Sequence, residues 1–89
     1  IFCLSVNDAF VMKSWLLSYS NGNKIKGIAD GNAEISQMLG VISDKTSNFM
    51  GLRCMRFAMI IDDNNINKIF LEEAGKFEMT SAENILKNL

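Results

Sequence analysis

Histidine is missing from the 89 residues of this chain. Without imidazole, the chain by itself cannot build a Ser-His or Cys-His catalytic arrangement, and it lacks the commonest metal ligand of proteins. Cysteine is scarce as well, with only Cys3 and Cys54, and their separation matches no metal-binding spacing. Two thiols without a disulfide framework are typical of reducing compartments, so the sequence predicts a cytoplasmic protein.

Long apolar runs and an excess of charge are also absent. Apolar runs such as residues 1–4 and 58–61 are far shorter than the ~20 residues that a membrane-spanning helix needs. The formal net charge is −1, from nine Lys and Arg against ten Asp and Glu. This balance favours neither nucleic acid nor an anionic membrane as a partner. With 48% hydrophobic and 21% charged residues, the composition is ordinary for one small globular domain.

Apolar segments alternate with turn signals in a way that predicts the element order β-α-β-α-β-β-α. The predicted elements are a strand over residues 1–6, a helix ending before Asn21, a strand over 24–29, a helix over 33–39, hairpin strands over 55–61 and 66–71, and a helix after Thr80. The first two strands alternate with helices, which indicates a parallel pair with a right-handed crossover. Since the hairpin would add antiparallel strands, we expect an α/β fold of three layers around one mixed sheet.

The predicted helices carry recognisable caps and apolar faces. Ser5 or Asn7 is the expected N-cap of the first helix, and Gly40 is expected to close the second. The predicted buried face of the first helix comprises Phe10, Val11, Trp15, Leu16 and Tyr19. We expect these side chains to form core rather than a binding platform. The inward residues predicted for the second helix are Ile35, Met38 and Leu39.

The second half of the chain contains a long polar segment and a further helix signal. Residues 41–51 are predicted to form a loop of about ten residues, longer than most connections and therefore a candidate functional loop. Thr80 and Glu83 have the spacing of a capping box. The apolar stripe predicted for the last helix consists of Ile85, Leu86 and Leu89.

The start of the sequence is unusual, because an apolar strand begins at the first residue and no methionine precedes it. We therefore expect the sequence to begin inside a domain. On this interpretation residues 1–89 are the C-terminal portion of a single domain, and chemistry carried by preceding residues is not in this chain.

Several short blocks, in this order along the chain, resemble the type II group of the redoxin-type peroxiredoxins. The matching blocks are Ser5-Val6-Asn7-Asp8-Ala9-Phe10-Val11, Trp15, Ala29-Asp30, Gly51, Arg53, Arg56-Phe57, Met59, Gly75-Lys76-Phe77-Glu78, Ala82-Glu83 and Ile85-Leu86. The resemblance covers essentially the whole chain. It implies a thioredoxin-like fold and a thiol peroxidase that reduces hydrogen peroxide and alkyl hydroperoxides.

The resemblance also implies where the chemistry lies. The peroxidatic cysteine of this family stands in a Pro-x-x-x-Thr-x-x-Cys loop, which belongs upstream of Ile1. The supporting arginine of the family maps onto Arg56. A guanidinium beside a thiolate lowers the pKa of the thiol and can donate hydrogen bonds to the peroxide as the O–O bond polarises.

Two departures from the family pattern affect what is expected. Family members often have Ala-Asp-Pro-x-Gly where this chain has Ala29-Asp30-Gly31-Asn32. The resemblance therefore predicts the fold but not the geometry of this loop. The late resolving cysteine of some animal members aligns near Met79 and is absent. The expected reductant is therefore glutathione with glutaredoxin, with thioredoxin as the other candidate.

By the same resemblance we expect a homodimer in the complete protein. The candidate contacts are Asn7, Asp8, Phe10, Asp30, Gly31 and Asn32. No cofactor is expected. Acidic side chains dispersed over a helix start and two turns indicate capping and turn chemistry rather than a metal site, so no metal is expected either; these are Asp8, Asp30, Asp62 and Asp63.

Arg56 is the candidate catalytic residue, and it falls within the predicted strand 55–61 among apolar neighbours. An arginine there is costly unless it is paired, so the residues alone leave a structural and a functional role open. The resemblance favours function. Arg53 is expected to be exposed or paired near the loop instead.

The two cysteines have different expected roles. Cys3, between Phe2 and Leu4, is expected to be a buried and unreactive thiol. Cys54 is expected on the same strand face as Arg56, where a fixed positive charge favours a thiolate. The preferred interpretation of Cys54 is nevertheless incidental, because the family usually has another residue there. The alternative function for the whole chain is a non-catalytic, thioredoxin-like interaction module.

Overall fold

Strands and helices alternate in the first part of the chain, and two hairpins follow. The computed structural model describes all 89 residues. In chain order the elements are β1 (Phe2–Ser5), α1 (Ala9–Leu17), β2 (Lys26–Ala29), α2 (Glu34–Leu39), β3 (Ile42–Lys45), β4 (Gly51–Cys54), β5 (Phe57–Asp62), β6 (Asn65–Leu71) and α3 (Ala82–Lys87). Short 3-10 turns span Gly22–Lys24 and Thr46–Asn48. By its contacts the chain divides into two units, residues 1–54 and residues 55–89.

The first unit begins with the predicted β-α-β crossover. β1 and β2 are parallel partners, with Cys3 opposite Gly27, and α1 connects them. Helix and strand lie close together: a Cβ added to Gly27 would lie only 3.1 Å from Cδ1 of Leu16. Met12 and Leu16 are the buried residues of α1, and their i, i+4 spacing places them on one face. The core of this unit therefore lies where α1 covers β2.

Two predictions about α1 are wrong. Its N-cap is Asp8 instead of Ser5 or Asn7, and the Asp8 carboxylate accepts a hydrogen bond from the Val11 N–H at 2.8 Å. The helix ends at Leu17, and its nine residues make only about two and a half turns, so β2 covers a narrow stripe. Four residues of the predicted buried face are exposed as a result: Phe10, Val11, Trp15 and Tyr19.

The second helix is closed as predicted but buries a different residue. Gly40 ends α2 in the left-handed conformation, with φ 72°. The predicted inward residue Met38 is 86% exposed, and the fully buried side chain is that of Ser36. A serine can occupy this position because its hydroxyl has a buried acceptor, described below.

Residues 41–51 do not form the predicted polar loop. Most of them belong to an antiparallel hairpin in which β3 pairs with β4 and Ser43 lies opposite Arg53. The strands have only four residues each and are rich in polar side chains, so they lack the apolar alternation that would reveal them.

The second unit contains the predicted β5–β6 hairpin. Asp63 and Asn64 form its turn with φ of 51° and 64°, a backbone that two-residue hairpin turns require and that Asp and Asn tolerate. The strands of the chain pair as three two-stranded sheets, and not as the single mixed sheet that the sequence predicts. Within the hairpin, β5 and β6 pair with each other and each leaves its outer edge without a partner strand.

The last helix is α3, and its N-cap is Ser81 rather than the Thr80 of the predicted capping box. The Ser81 hydroxyl accepts a hydrogen bond from the Asn84 N–H at 3.2 Å, whereas the Thr80 hydroxyl is used elsewhere. Leu86 and Leu89 of the predicted stripe are exposed. None of the helices has the length and apolar character needed to cross a membrane.

Candidate functional site

Arg56, the candidate catalytic residue, lies just ahead of β5. Its neighbours Met55 and Phe57 are apolar as predicted, but the prediction that it stands mid-strand is wrong: it is exposed and directly precedes Phe57, the first residue of β5. Its carbonyl oxygen accepts a hydrogen bond from the Glu72 N–H at 3.0 Å. Its guanidinium carbon lies 4.9 Å from the centroid of the Phe77 ring. This cation–π contact places the guanidinium over the face of the ring, and the structure shows no hydrogen-bond acceptor for its N–H groups, so they are available to bind one.

Glu72 organises the segment that carries Phe77. It follows β6 and is only 5% exposed. Its carboxylate accepts hydrogen bonds from the N–H groups of Glu78, Met79 and Thr80 at 2.9, 3.1 and 3.0 Å, and from the Thr80 hydroxyl at 2.8 Å. One buried carboxylate thus satisfies three consecutive main-chain donors ahead of α3.

Burial and hydrogen bonding act in opposite directions on Glu72. Burial raises the pKa of its carboxyl, but the hydrogen bonds from Thr80, Glu78 and Met79 stabilise the ionised form and outweigh burial. The net effect lowers the pKa of Glu72 from 4.5 to about 2. Glu72 is therefore negatively charged at neutral pH, and the segment bound to it is held by charge-assisted hydrogen bonds.

Arg53 belongs to the first unit and is held very differently. Its Nε donates to the Met50 carbonyl at 2.8 Å, and its Nη1 donates to the Val6 carbonyl at 3.0 Å. The expectation that Arg53 is paired near the loop is confirmed. Because two of its donors bind main-chain carbonyls, this side chain joins β4 to the end of β1.

Asp30 has a buried carboxylate like that of Glu72. It accepts hydrogen bonds from the Ile35 N–H at 3.1 Å, the Ser36 N–H at 2.9 Å and the Ser36 hydroxyl at 2.8 Å. The N-cap residue Ala33 has no side-chain oxygen, so Asp30 replaces it in capping α2. Burial raises the pKa of Asp30, but these hydrogen bonds prevail and lower it.

The structure brings together two of the segments predicted to contact a second copy. The Asn7 carbonyl oxygen lies 3.7 Å from the position of a Cβ on Gly31. Asp8, Asn32 and Phe10 are exposed, and Phe10 has 86% of its surface accessible. The carboxylate of Asp30, in contrast, is used inside its own unit. The role of these residues in a dimer stays a prediction.

Both cysteines are free and half-buried. Burial, followed by the nearby Cys54, raises the pKa of Cys3, which fits the expectation of an unreactive thiol. Cys54 is the last residue of β4, whose pairing ends opposite Ile42, and Arg56 lies beyond that strand. The prediction that Cys54 and Arg56 share a strand face is therefore wrong.

Sequence patterns did not reveal the roles of Glu72, Phe77 and Ser36. Each acts through a partner several residues away in an irregular segment, where no periodicity exists. The one available signal is an acidic residue directly after the apolar end of a strand, as in Phe70-Leu71-Glu72. Such a carboxylate is buried, and it therefore needs several hydrogen-bond donors nearby.

The chain is similar to a known protein family and to curated proteins. The family model described as redoxin matches residues 1–86. Among curated proteins, peroxiredoxin-2B of Arabidopsis thaliana is 40% identical over 89 residues, which is all of this chain and 55% of that protein. The chloroplastic peroxiredoxin-2E-2 of Oryza sativa subsp. japonica is 44% identical over 92 residues, covering all of this chain and 41% of that protein.

Solved structures agree with this comparison. Reduced Prx3 of Vibrio vulnificus in complex with hydrogen peroxide matches with a TM-score of 0.92 and 43% identity, covering all of this chain and 57% of that chain. The Plasmodium falciparum antioxidant protein, a 1-Cys peroxiredoxin, matches with a TM-score of 0.86 and 33% identity, covering all of this chain and 57% of that one.

The match to these solved structures shows an α/β protein of the thioredoxin-like class, as the sequence predicts. The chain belongs to the redoxin family, and the relatives and structures to which it is similar are peroxiredoxins. It spans about half the length of the curated relatives it matches.

Proposed function

We propose that this chain is part of a thiol peroxidase that reduces hydrogen peroxide and alkyl hydroperoxides, and that Arg56 is a catalytic residue. The observation that carries the proposal is the state of the Arg56 side chain, which is exposed and held by the face of the Phe77 ring. The ion pairs of its unit, Lys76–Glu73 and Lys87–Glu83, do not include it. A guanidinium held in this way can donate to a thiolate or to a peroxide oxygen.

The proposed reaction uses a peroxidatic cysteine upstream of Ile1. Its thiolate attacks one peroxide oxygen, so an S–O bond forms while the O–O bond breaks. The sulfur becomes a sulfenic acid, and the leaving oxygen takes a proton to give water or an alcohol. Arg56 stabilises the thiolate before attack and the negative charge on the leaving oxygen during it.

The sulfenic acid must then be reduced by thiols. We propose glutathione with glutaredoxin as the reductant, and thioredoxin as the second candidate, because the resemblance aligns the resolving cysteine of some animal members with Met79 or its neighbour, where this chain has no cysteine. We further propose a cytoplasmic homodimer. The two free cysteines support a reducing compartment, and the proximity of Asn7 to Gly31 supports one contiguous contact surface.

The test compares this chain with the same protein extended upstream of Ile1 to the length of its relatives, hereafter the extended protein. Peroxide consumption is measured with glutathione and glutaredoxin in one series and with thioredoxin in the other. The proposal predicts turnover by the extended protein alone and faster turnover in the glutaredoxin series. An extended protein that folds but consumes no peroxide with either reductant would favour a non-catalytic interaction module.

A further inference from the structure

The guanidinium of Arg56 and its main chain are both held by one short segment. The Glu72 N–H binds the Arg56 carbonyl at 3.0 Å, and the Phe77 ring lies 4.9 Å from the guanidinium carbon. Residues 72–77 therefore contact Arg56 at two points, at its backbone and at the end of its side chain. Fixing both the backbone of Arg56 and the end of its side chain restricts the rotamers that the side chain can adopt.

The position of the Phe77 ring depends on the buried carboxylate of Glu72. The peptide N–H of Glu78, the next residue after Phe77, donates to Glu72 Oε2 at 2.9 Å. The Thr80 N–H and hydroxyl donate to the same oxygen at 3.0 and 2.8 Å. Phe77 itself is 61% exposed, so packing alone does not hold the ring in place. The hydrogen bonds of Glu72 supply the constraint instead.

An aromatic ring is well suited to hold an arginine that must bind something else. A carboxylate partner would occupy the N–H groups along the edge of the guanidinium, and it would also cancel the positive charge. A ring carries no charge and no carboxylate oxygens, so the positive charge of the guanidinium is not cancelled and its N–H groups are not taken up by a carboxylate. The arrangement orients the cation without consuming its hydrogen-bonding capacity.

We propose that Phe77 is a positioning residue for Arg56, and that Glu72 fixes the ring in place. The proposal deepens the proposed function and rests on it, because it assigns a role to Phe77 only if Arg56 acts on the peroxidatic thiolate. No direct contact of Phe77 with substrate is involved. Its effect reaches the reaction through the orientation of one guanidinium.

The test uses the extended protein with three substitutions. Phe77→Leu keeps an apolar side chain but removes the aromatic face, Phe77→Tyr restores that face, and Phe49→Leu is the matched control at a 99% exposed phenylalanine. The readouts are the rate constant for peroxide and the pKa of the peroxidatic thiol, taken from the pH dependence of its alkylation. A merely structural role for Phe77 would leave this pKa unchanged.

We expect Phe77→Leu to lower the rate constant by about two- to fivefold, the effect of losing one cation–π contact at an exposed site. The pKa of the peroxidatic thiol should rise in the same variant. Phe77→Tyr should restore both values, and Phe49→Leu should change neither. Glu72→Gln should act in the same direction as Phe77→Leu, because the ring is then less well fixed.

The outcomes separate this proposal from the one on which it rests. If Arg56→Ala abolishes activity while Phe77→Leu behaves like Phe49→Leu, the positioning role is overturned and the proposed function stands. If Arg56→Ala itself has no effect on the rate constant, the catalytic role of Arg56 fails and the role of Phe77 fails with it. Failure of Phe77→Tyr to restore the rate constant would also overturn the proposal.

Discussion

Arg53 and Arg56 are only three residues apart in the sequence, but their side chains have different roles. Arg53 donates to the carbonyls of Met50 and Val6, so its guanidinium belongs to the scaffold of the first unit. Arg56 in the second unit is exposed and contacts the face of the Phe77 ring. The first arrangement uses hydrogen-bond donors for stability, whereas the second preserves them for a ligand.

The partner of a charged residue is therefore more informative about its role than its burial. Arg53 is the less exposed of the two, and by burial alone it would be the stronger candidate for a perturbed functional group. Its contacts with main-chain oxygens show a structural role instead. Arg56 keeps its charge uncompensated by the ion pairs of its unit, which is the property that stabilisation of an anion requires.

The largest expected effect is on catalysis. Arg56→Ala in the extended protein should lower the rate constant for peroxide by about a hundredfold, the usual cost of removing one preorganised donor to a developing charge. Arg53→Ala is the matched comparison and should lower the rate constant by less than about fivefold, since the Arg53 side chain is held by two main-chain carbonyls. Stopped-flow measurement of peroxide consumption checks both values. An equal loss in the two variants would remove the distinction between the arginines.

For stability we expect the opposite order, with Arg53→Ala the more damaging of the two substitutions. Arg53→Ala leaves the carbonyls of Met50 and Val6 without their donor, and it should lower the free energy of unfolding by about 1–3 kcal/mol. Arg56→Ala loses only an exposed cation–π contact and should cost about 0.5–1 kcal/mol. Urea denaturation of the extended protein measures both. If Arg56→Ala is the more destabilising change, Arg56 is primarily structural.

The segment that holds Arg56 should be sensitive to acid. The pKa of Glu72 is lowered from 4.5 to about 2, so the folded protein favours the ionised form. The resulting stabilisation is complete above the ordinary value of 4.5 and is lost as the pH falls towards 2. Glu72→Gln does not titrate, and its free energy of unfolding should lack this part of the pH dependence.

A neighbouring glutamate provides the control for this experiment. Glu73 forms an exposed pair with Lys76 at 2.9 Å, and exposed pairs of this kind contribute little to stability. Glu73→Gln should therefore retain the pH dependence of the wild type, measured by urea denaturation across the acid range. A wild-type profile that is flat between pH 4.5 and about 2 would contradict the role assigned to the Glu72 network.

The smallest expected effect concerns the thiols of the unit that contains Arg53. Burial, and then Cys54, raises the pKa of Cys3, so the folded protein disfavours the thiolate form of Cys3. Cys3 in the folded protein should react with iodoacetamide more slowly than in urea, and Cys54→Ser should increase its rate slightly. Mass spectrometry resolves the two sites. Faster alkylation of Cys3 in the folded protein would contradict this account.

The parts of the fold that the sequence predicts are those built from local patterns. β1, α1 and β2 follow from an apolar run, a helix start and a second short run. The β5–β6 hairpin follows from two apolar runs around Asp63-Asn64. In these cases the elements form as predicted with boundaries shifted by a few residues, although the N-cap and the buried face of α1 differ from the prediction.

The parts that the sequence does not predict depend on contacts between irregular segments. Ser36 is buried because Asp30, six residues earlier, accepts from its hydroxyl, and a polar residue on a helix otherwise predicts exposure. The contact between Phe77 and Arg56 joins residues 21 positions apart outside any regular element. Arg56 as a candidate came from family resemblance, whereas the manner in which it is held came from the structure.

Arg56, and not Arg53, is the residue proposed to act on the peroxidatic thiolate. The most direct test measures the pKa of that thiol in the extended protein from the pH dependence of its alkylation. Arg56→Ala should raise this pKa by about 1 or more, because an adjacent positive charge is lost, and Arg53→Ala should leave it unchanged. An unchanged pKa in Arg56→Ala, or a raised one in Arg53→Ala, would contradict the account.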